Sequence, residues 1–288
     1  MKPQRVYVTG LPRAGSTLLC QLLAQHPDIT CDGMTSPLFG MVESLRSHLA
    51  GNDAFLSRLD VAGNLSYARL ASVYRGIISG WLDQHHGSQV TVDKNRGWLH
   101  AIEFLAELDP DFRALVCIRD LGQLFGSVES AHRRTNLIGY RDGMSHHSAD
   151  ARANQLFSES GIIGAPLNAI REFNAGLKTR VPAQQIYYVA YEALLTEPVA
   201  TMQRVYDFIG LDQDNYPFKL DPSRLTVFPQ ESDSHYGMKW PHDTHNQILP
   251  IKQHNIPAEI ESTLQERYAW YYQNFYSSEQ NNIVNSNQ

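Results

Sequence analysis

The architecture of this chain follows from one stretch near its N-terminus, Val6-Tyr7-Val8-Thr9-Gly10-Leu11-Pro12-Arg13-Ala14-Gly15-Ser16-Thr17-Leu18-Leu19. The first four residues alternate like a β-strand, and leucines at helical spacing begin at the end of the stretch. Between them, two glycines and a proline predict a turn. The amides of that loop and the N-terminus of the helix would point at one spot, which favours an anionic phosphate or sulfate group.

The loop departs from the usual phosphate-binding loop at one position. Its spacing nearly fits G-x-x-x-x-G-K-[ST], but Ser16 stands where the lysine should be. The cation lies inside the loop instead, at Arg13. We therefore predict an anion site whose ligands come from this loop: Arg13, Ala14, Gly15, Ser16 and Thr17.

Three further β-rich runs lie along the chain, and a helix-like segment follows each of them. The runs span residues 89–93, 113–118 and 185–190. The helix-like segments span residues 99–108, 121–133 and 199–209. Such alternation is typical of parallel βαβ units, so we predict an α/β fold in which helices cover both faces of a parallel sheet.

A polar residue lies just past the carboxyl end of each predicted strand. These residues are Arg13, Lys94, Arg119 and Tyr191. The carboxyl ends of parallel strands meet at one edge of a sheet, and ligands of open α/β sheets bind there. Four separate units therefore bring polar groups to one site.

Length and composition suit a globular protein. The chain has 288 residues, of which 42% are hydrophobic and 19% charged, enough for one large α/β domain or two small ones. No linker or repeat divides it, and we predict a single domain over residues 1–276. Within it, residues 35–87 and 134–168 are predicted to be helical or lid-like insertions, and residues 277–288 a disordered tail.

Net charge and cysteine spacing limit the binding partners and the cellular location that we expect. The net charge of −6 and pI near 6.0 argue against general nucleic-acid binding. The three cysteines have no metal-ligand or redox spacing, and a strand begins too early to leave room for a signal peptide. No apolar segment approaches the ~20 residues of a membrane span. We expect no metal, no transmembrane segment and a cytoplasmic location.

Four motifs, taken in order, resemble those of the PAPS-dependent sulfotransferases, where PAPS is 3′-phosphoadenosine 5′-phosphosulfate. The loop at residues 11–17 resembles their 5′-phosphosulfate loop, and Lys94 lies where the family has a lysine that stabilises the transferring group. Arg119 and Ser127 resemble the pair that binds the 3′-phosphate. Tyr191, followed by Phe208-Ile209-Gly210-Leu211, resembles a segment whose tyrosine lies near the adenine.

Two other stretches resemble a bacterial subgroup of that family, Asp93-Lys94-Asn95-Arg96-Gly97-Trp98 and His235-Tyr236-Gly237-Met238-Lys239. The second adds Lys239 as a candidate cofactor contact. The resemblance runs from Tyr7 to about residue 260. It implies a P-loop-like three-layer sandwich and transfer of a sulfuryl group from PAPS to a hydroxyl or amine, with release of adenosine 3′,5′-bisphosphate (PAP).

The implied chemistry assigns roles to the candidate residues. Arg13, Lys94 and the loop amides with Thr17 would meet the negative charge that builds on the leaving phosphate oxygen. Arg119 and Ser127 would bind the 3′-phosphate, which distinguishes PAPS from ATP. PAPS already carries the activated bond, so the resemblance implies no requirement for a metal.

The base that deprotonates the acceptor is not set by any motif. The position of the family's glutamate falls on Met34, and that of its histidine falls on Arg96. We predict Asp93 or Asp32 as the base, with Glu43 and His100 as further candidates. Asp93 could instead orient Arg96 through an ion pair.

Two other functions compete with sulfuryl transfer. A nucleotide kinase or other P-loop phosphotransferase would need the loop lysine that Ser16 replaces. A catalytically silent nucleotide-binding module on the same fold is the third hypothesis. For the enzyme, the expected acceptor is a small-molecule, lipid or carbohydrate hydroxyl, and the sequence leaves the oligomeric state open.

Overall fold

A five-stranded parallel sheet forms the centre of the molecule. The computed structural model describes residues 3–84, 87–137, 147–211, 219–229, 231–232, 241–242 and 244–277. The strands of the sheet are β1 (Gln4–Gly10), β2 (Ile29–Thr30), β3 (Val90–Lys94), β4 (Arg113–Ile118) and β5 (Ile186–Ala190). Their order across the sheet is β2-β3-β1-β4-β5. A separate antiparallel pair consists of β6 (Glu231–Ser232) and β7 (Pro241–His242).

Helices flank the sheet, which confirms the predicted α/β class. The first six are α1 (Ser16–Leu23), α2 (Leu38–Ala50), α3 (Asp53–Ala62), α4 (Asn64–Leu82), α5 (Ile102–Leu108) and α6 (Leu121–Leu137). The other six are α7 (Ala149–Leu156), α8 (Gly164–Asn174), α9 (Tyr191–Thr196), α10 (Pro198–Ile209), α11 (Ala258–Arg267) and α12 (Ala269–Phe275). Short 3-10 helices span Arg96–Leu99 and Ala183–Gln185. None of the described helices is long and apolar enough to cross a membrane.

The central strands are buried because helices cover the parallel sheet. In β1, Val6, Tyr7 and Val8 are fully buried, and β4 is buried from Ala114 to Ile118. Near-continuous apolar runs of this kind are typical of strands in parallel sheets. The core therefore fixes the carboxyl ends of β1, β3 and β4 side by side.

The predicted insertions contain helices where the structure describes them. Residues 38–82 form α2, α3 and α4, and the other segment includes α7 and the start of α8. The sequence analysis missed β2, which has only two residues, and the two C-terminal helices α11 and α12. The predicted tail, apart from residue 277, lies outside the described residues.

The amino end of the sheet carries a closed ion network. Arg5 is 3% exposed; its guanidinium lies 2.6 Å from an Asp83 oxygen and 3.4 Å from an Asp109 oxygen, and it donates to the Ser79 hydroxyl. The Tyr7 hydroxyl donates to the same Asp109. Two carboxylates thus compensate one buried cation, and the network joins β1 to α4 and to the loop before β4.

Candidate active site

Two glycines allow the predicted loop to adopt its path between β1 and α1. Gly10 has φ +120°, and a Cβ there would lie 2.3 Å from the carbonyl oxygen of Cys117 on β4. Gly15 has φ +85°, and a Cβ there would lie 2.5 Å from the ring of Tyr191. Residues with side chains rarely adopt these angles. The loop can therefore lie against β4, and Tyr191 can lie against the loop, only because both positions are glycine.

Arg13 has the unusual backbone of the loop. Its φ of 59° is the one positive value at a non-glycine residue in the described part of the chain. Such a conformation costs on the order of 1–3 kcal/mol and is typical of functional sites. Arg13 Nε donates to the Ser127 hydroxyl on α6 at 3.3 Å, and the Arg13 carbonyl accepts from Arg119 Nη1 at 3.0 Å. The loop arginine thus joins the two residues predicted to bind the 3′-phosphate.

Arg119 follows β4 directly and is 6% exposed. Its Cζ lies 4.4 Å from the ring centroid of Tyr191, while its backbone N–H and carbonyl both bind the hydroxyl of Tyr271 on α12. Burial lowers the pKa of Arg119, and the charge of Arg13 lowers it further, although Tyr191 and Glu192 oppose the shift. The buried Nε atom has no hydrogen-bond partner among the described residues.

Lys94 ends β3 and lies beside the first turn of α1. Its side chain is buried, and Nζ is 3.5 Å from the Thr17 hydroxyl. The two cations predicted to act on the transferring group contact different hydroxyl groups. Lys94 contacts Thr17, whereas the Arg13 guanidinium contacts Ser127.

The two carboxylates predicted as bases lie in different surroundings. Asp93 is 1% exposed, and its Oδ2 accepts the indole N–H of the fully buried Trp98 at 2.6 Å. Burial raises the pKa of Asp93, and this hydrogen bond opposes the rise. Asp32 is exposed in the loop after β2 and accepts the N–H of Met34 at 3.0 Å. Neither carboxylate lines the cleft described next.

A cleft of about 1110 Å³ opens at the carboxyl edge of the sheet. The predicted residues on its wall are Arg13, Gly15, Ser16, Thr17, Lys94, Arg119, Ser127 and Tyr191. Ala14 is buried within the loop, and Lys239 lies outside the described residues. The structure thus brings together groups from four βα units, as the strand-end pattern predicted.

The wall of the cleft is basic. Six lysines and arginines line it, Arg13, Lys94, Arg96, Arg119, Arg134 and Lys252. Among the described lining residues there is no aspartate or glutamate. The amino end of the same sheet, in contrast, has two carboxylates around a single arginine. A wall of this charge attracts a ligand with several negative charges.

The sequence analysis did not identify three residues of this region. Lys252 and His254 reach the cleft from a stretch that has no motif, and Tyr271 holds the backbone of Arg119 from the C-terminal helix α12. Burial, together with the charges of Arg119, Lys252 and Arg13, lowers the pKa of His254 to about 4. No local pattern marks these residues, because long-range packing brings them to the site.

Comparisons with known proteins match the sequence to one family. A family model described as the sulfotransferase family matches residues 3–215. Nodulation protein NoeE of Sinorhizobium fredii is 23% identical over 224 residues, which are 73% of this chain and 51% of that protein. Protein-tyrosine sulfotransferase A of Caenorhabditis elegans is 25% identical over 215 residues, 73% of this chain and 50% of that protein.

The fold of the chain is also similar to that of a solved structure. The sulfotransferase from Alicyclobacillus acidocaldarius aligns with 93% of this chain and 92% of its own, at 13% identity and a TM-score of 0.51. This similarity concerns the fold. The chain spans about half the length of the curated relatives it matches.

Proposed function

The chain belongs to the sulfotransferase family, and we propose that it transfers a sulfuryl group from PAPS to a hydroxyl or amine acceptor and releases PAP. The observation that carries the proposal is the cluster of Arg13, Arg119 and Ser127 on the cleft wall. The buried Arg119 guanidinium has no hydrogen-bond partner for its Nε among the described residues. It fits a phosphate because the fork of arginine donors matches phosphate oxygens.

The nucleotide half of the cleft is assigned to these residues. In the proposal, Arg119, Ser127 and Arg13 hold the 3′-phosphate, and the ring of Tyr191 lies near the adenine. The loop amides from Ala14 to Thr17 and the N-terminus of α1 hold the 5′-phosphosulfate. The fit is supported by the hydrogen bonds that already join Arg13 to both Ser127 and Arg119.

Transfer itself is assigned to Lys94 and the loop. PAPS supplies a sulfuryl group on an activated bond. Lys94 and Thr17 donate to the oxygen on which negative charge develops, and their contact at 3.5 Å orients both groups beforehand. Donors that are already in place avoid reorganisation during the reaction, which is why one of them typically contributes about 10²–10³ in rate.

The acceptor is proposed to be a small-molecule, lipid or carbohydrate hydroxyl. Besides the residues assigned to the nucleotide, the cleft wall mixes apolar side chains with a few polar groups, including Phe39, Ile162, Pro166, Ser160 and His100. Small-molecule sites are typically built in this way. One relative is named for protein-tyrosine sulfation, so a tyrosine-containing peptide belongs in the acceptor panel. The three free thiols suit a reducing, cytoplasm-like compartment.

Calorimetric titration with PAP, with ADP and ATP as controls, tests the nucleotide site. We expect wild type to bind PAP more tightly than ADP, because only PAP has the 3′-phosphate. In Arg119→Ala, PAP affinity should fall about 10- to 100-fold, which is the effect of losing hydrogen bonds to a charged group. Equal affinity for ATP and PAP, with a dependence on Mg²⁺, would contradict the proposal and favour a kinase.

An activity assay separates the enzyme from a silent binding module. Labelled PAPS is supplied with 2-naphthol, 1-decanol, N-acetylglucosamine and a tyrosine peptide, and both PAP release and the sulfated product are measured. Transfer to any of them supports the proposal. PAP binding without transfer would favour the silent nucleotide-binding module.

A further inference from the structure

The cleft narrows the choice of base because carboxylates are absent from its described wall. Three histidines line that wall, His100, His245 and His254, and histidine is the side chain that most often serves as a general base. Asp93 is buried against Trp98, and Asp32 and Glu43 lie off the cleft. A general base must be within reach of the proton that it takes, so the histidines are the candidates.

His100 shares a rigid support with Lys94. It follows the 3-10 helix Arg96–Leu99, which begins two residues after Lys94. Asn95 caps that helix through the N–H of Gly97 at 2.8 Å, and its amide donates to the carbonyl of Ser36 at 2.7 Å. This geometry holds His100 in a fixed relation to the lysine proposed to contact the transferring group.

The same helix is anchored to the core at two further points. The indole of Trp98 donates to Asp93, and the hydroxyl of Thr9 on β1 donates to the carbonyl of Arg96 at 3.0 Å. Asp93 is therefore suited to a positioning role, since its carboxylate holds the element that carries His100. Catalytic groups work best when packing fixes them in this way.

The other two histidines lie elsewhere on the wall. His254 is fixed over α6, where its N–H donates to Gln123, and the cations Arg13 and Arg119 act on it. His254 therefore lies in the half of the cleft that is assigned to the 3′-phosphate. The carbonyl of His245 accepts from Gln21 on α1, so His245 lies on the side of the cleft formed by α1. His100 alone of the three belongs to the chain segment that carries Lys94.

We infer that His100 is the general base for the acceptor, an inference that rests on the proposed function. The neutral imidazole takes the proton as the acceptor O–H bond breaks and the acceptor oxygen bonds to sulfur. The bond from sulfur to the phosphate oxygen breaks, and its electron pair stays on PAP. The imidazolium then returns the proton to water.

The surroundings of His100 suit this role. Its side chain makes no hydrogen bond or ion pair with the described residues and is exposed to the cleft. The crowded wall lowers the pKa of His100 by desolvation; Glu172 opposes this shift and Lys178 reinforces it. Lys178 pairs with Glu172 at 3.0 Å and with Glu103 at 3.7 Å, so these charges largely offset each other. The imidazole is therefore neutral, and able to accept a proton, at pH 7.

The test compares His100→Gln with His48→Gln, which removes an exposed histidine of α2 outside the cleft. With 2-naphthol, kcat/KM of wild type should fall as the pH drops below the usual histidine range, and we call this fall the acidic limb of the pH profile. In His100→Gln, kcat/KM should be about 10²–10⁴ lower, and the acidic limb should be absent. NMR titration of the His100 imidazole in the free protein should give the pKa of the limb. PAP affinity should match wild type in both variants, which shows that the donor site is intact.

An acceptor that is already ionised makes the test specific. With 4-nitrophenol, which is largely ionised at mildly alkaline pH, no proton has to be removed, so His100→Gln should lose much less activity there. A merely structural role would lower both activities alike, and that result overturns the inference. Full activity of His100→Gln with 2-naphthol, or loss of the acidic limb in His245→Gln instead, also overturns it. If wild type transfers to no acceptor while PAP binds, the proposed function itself fails.

Discussion

The two ends of the central sheet hold buried arginines in opposite electrostatic settings. At the amino end, Arg5 is neutralised by Asp83 and Asp109. At the carboxyl end, Arg119 lies in a cleft with five other lysines and arginines, and no described wall residue is a carboxylate. Arg5 has two carboxylate partners within the fold, whereas a wall this rich in cations attracts a ligand with several negative charges. The comparison thus sets an arginine that is paired within the fold beside one that is proposed to bind a ligand, and both are buried.

Arg5→Met tests the structural end and should have the largest effect. The substitution leaves Asp109 buried without its cation, and breaking a buried pair on one side costs about 3–5 kcal/mol in the free energy of unfolding. Denaturant unfolding measures this loss, and PAP affinity of the folded variant should stay near that of wild type. Arg180→Met, which removes an exposed partner of Glu107, should cost at most about 1 kcal/mol.

Equal stability losses for Arg5→Met and Arg180→Met would contradict the distinction between the two ends. Arg119→Ala should have the opposite effect to Arg5→Met, a large loss of PAP affinity and a small loss of stability. Its loss of PAP binding free energy should exceed its loss of unfolding free energy. A variant whose stability collapses while its PAP affinity is retained would make Arg119 a structural residue.

Lys94→Ala tests transfer at the binding end. Removal of one preorganised donor should lower kcat by about 10²–10³, because Lys94 is proposed to act on the charge that develops during transfer. PAP affinity should change much less, and single-turnover kinetics with labelled PAPS measures the chemical step. Lys219→Ala, which removes an exposed lysine outside the cleft, serves as the control. A kcat near that of wild type would remove Lys94 from the reaction.

Asp93→Asn separates a base from a positioning residue. Asparagine keeps an oxygen for the Trp98 indole, so activity should stay within about tenfold of wild type if Asp93 only holds the 3-10 helix. A base would instead lose about 10²–10⁴. The assay is kcat/KM with 2-naphthol, and a loss of that larger size would return the role of base to Asp93.

The same variant should alter the dependence of stability on pH. Because the folded-state pKa of Asp93 is raised above 3.8, the folded protein holds a proton that the unfolded chain releases within that window. The contribution of Asp93 to stability therefore falls as the pH rises from 3.8 through the raised pKa. Asp93→Asn should lack this contribution, which unfolding curves at several pH values will measure.

His254→Gln should have the smallest effect, a change in the proton uptake that accompanies PAP binding. In the free protein, the pKa of His254 is about 4, below the usual 6.5. A phosphate bound beside Arg119 and Arg13 would raise that pKa, so PAP binding should take up a proton, and affinity should gain a few-fold as the pH falls from 7 toward 5. Calorimetry in buffers of different ionisation enthalpy measures the uptake. Identical uptake in wild type and His254→Gln would place the phosphate away from His254.

The candidate site was predictable where local patterns carry the information. The glycines at positions 10 and 15, the arginine between them and the polar residue after each strand all follow from short-range sterics and from the geometry of parallel strands. The acidic residue beside Lys94 was harder to assign. Neighbouring strand residues point to opposite faces, and only the contact with Trp98 shows what Asp93 binds.

The sequence by itself determined the α/β class, the glycine-bearing loop between β1 and α1, and the four strand ends that form one edge, because each depends on residues close together in the chain. Tertiary structure alone decided that Tyr271 holds Arg119, that Lys252 and His254 reach the cleft, and that His100 shares a support with Lys94. It also decided that Arg5 is compensated within the fold. The contact between Tyr271 and Arg119 joins residues 152 positions apart, and no short pattern encodes a distance that the packing of the whole chain sets.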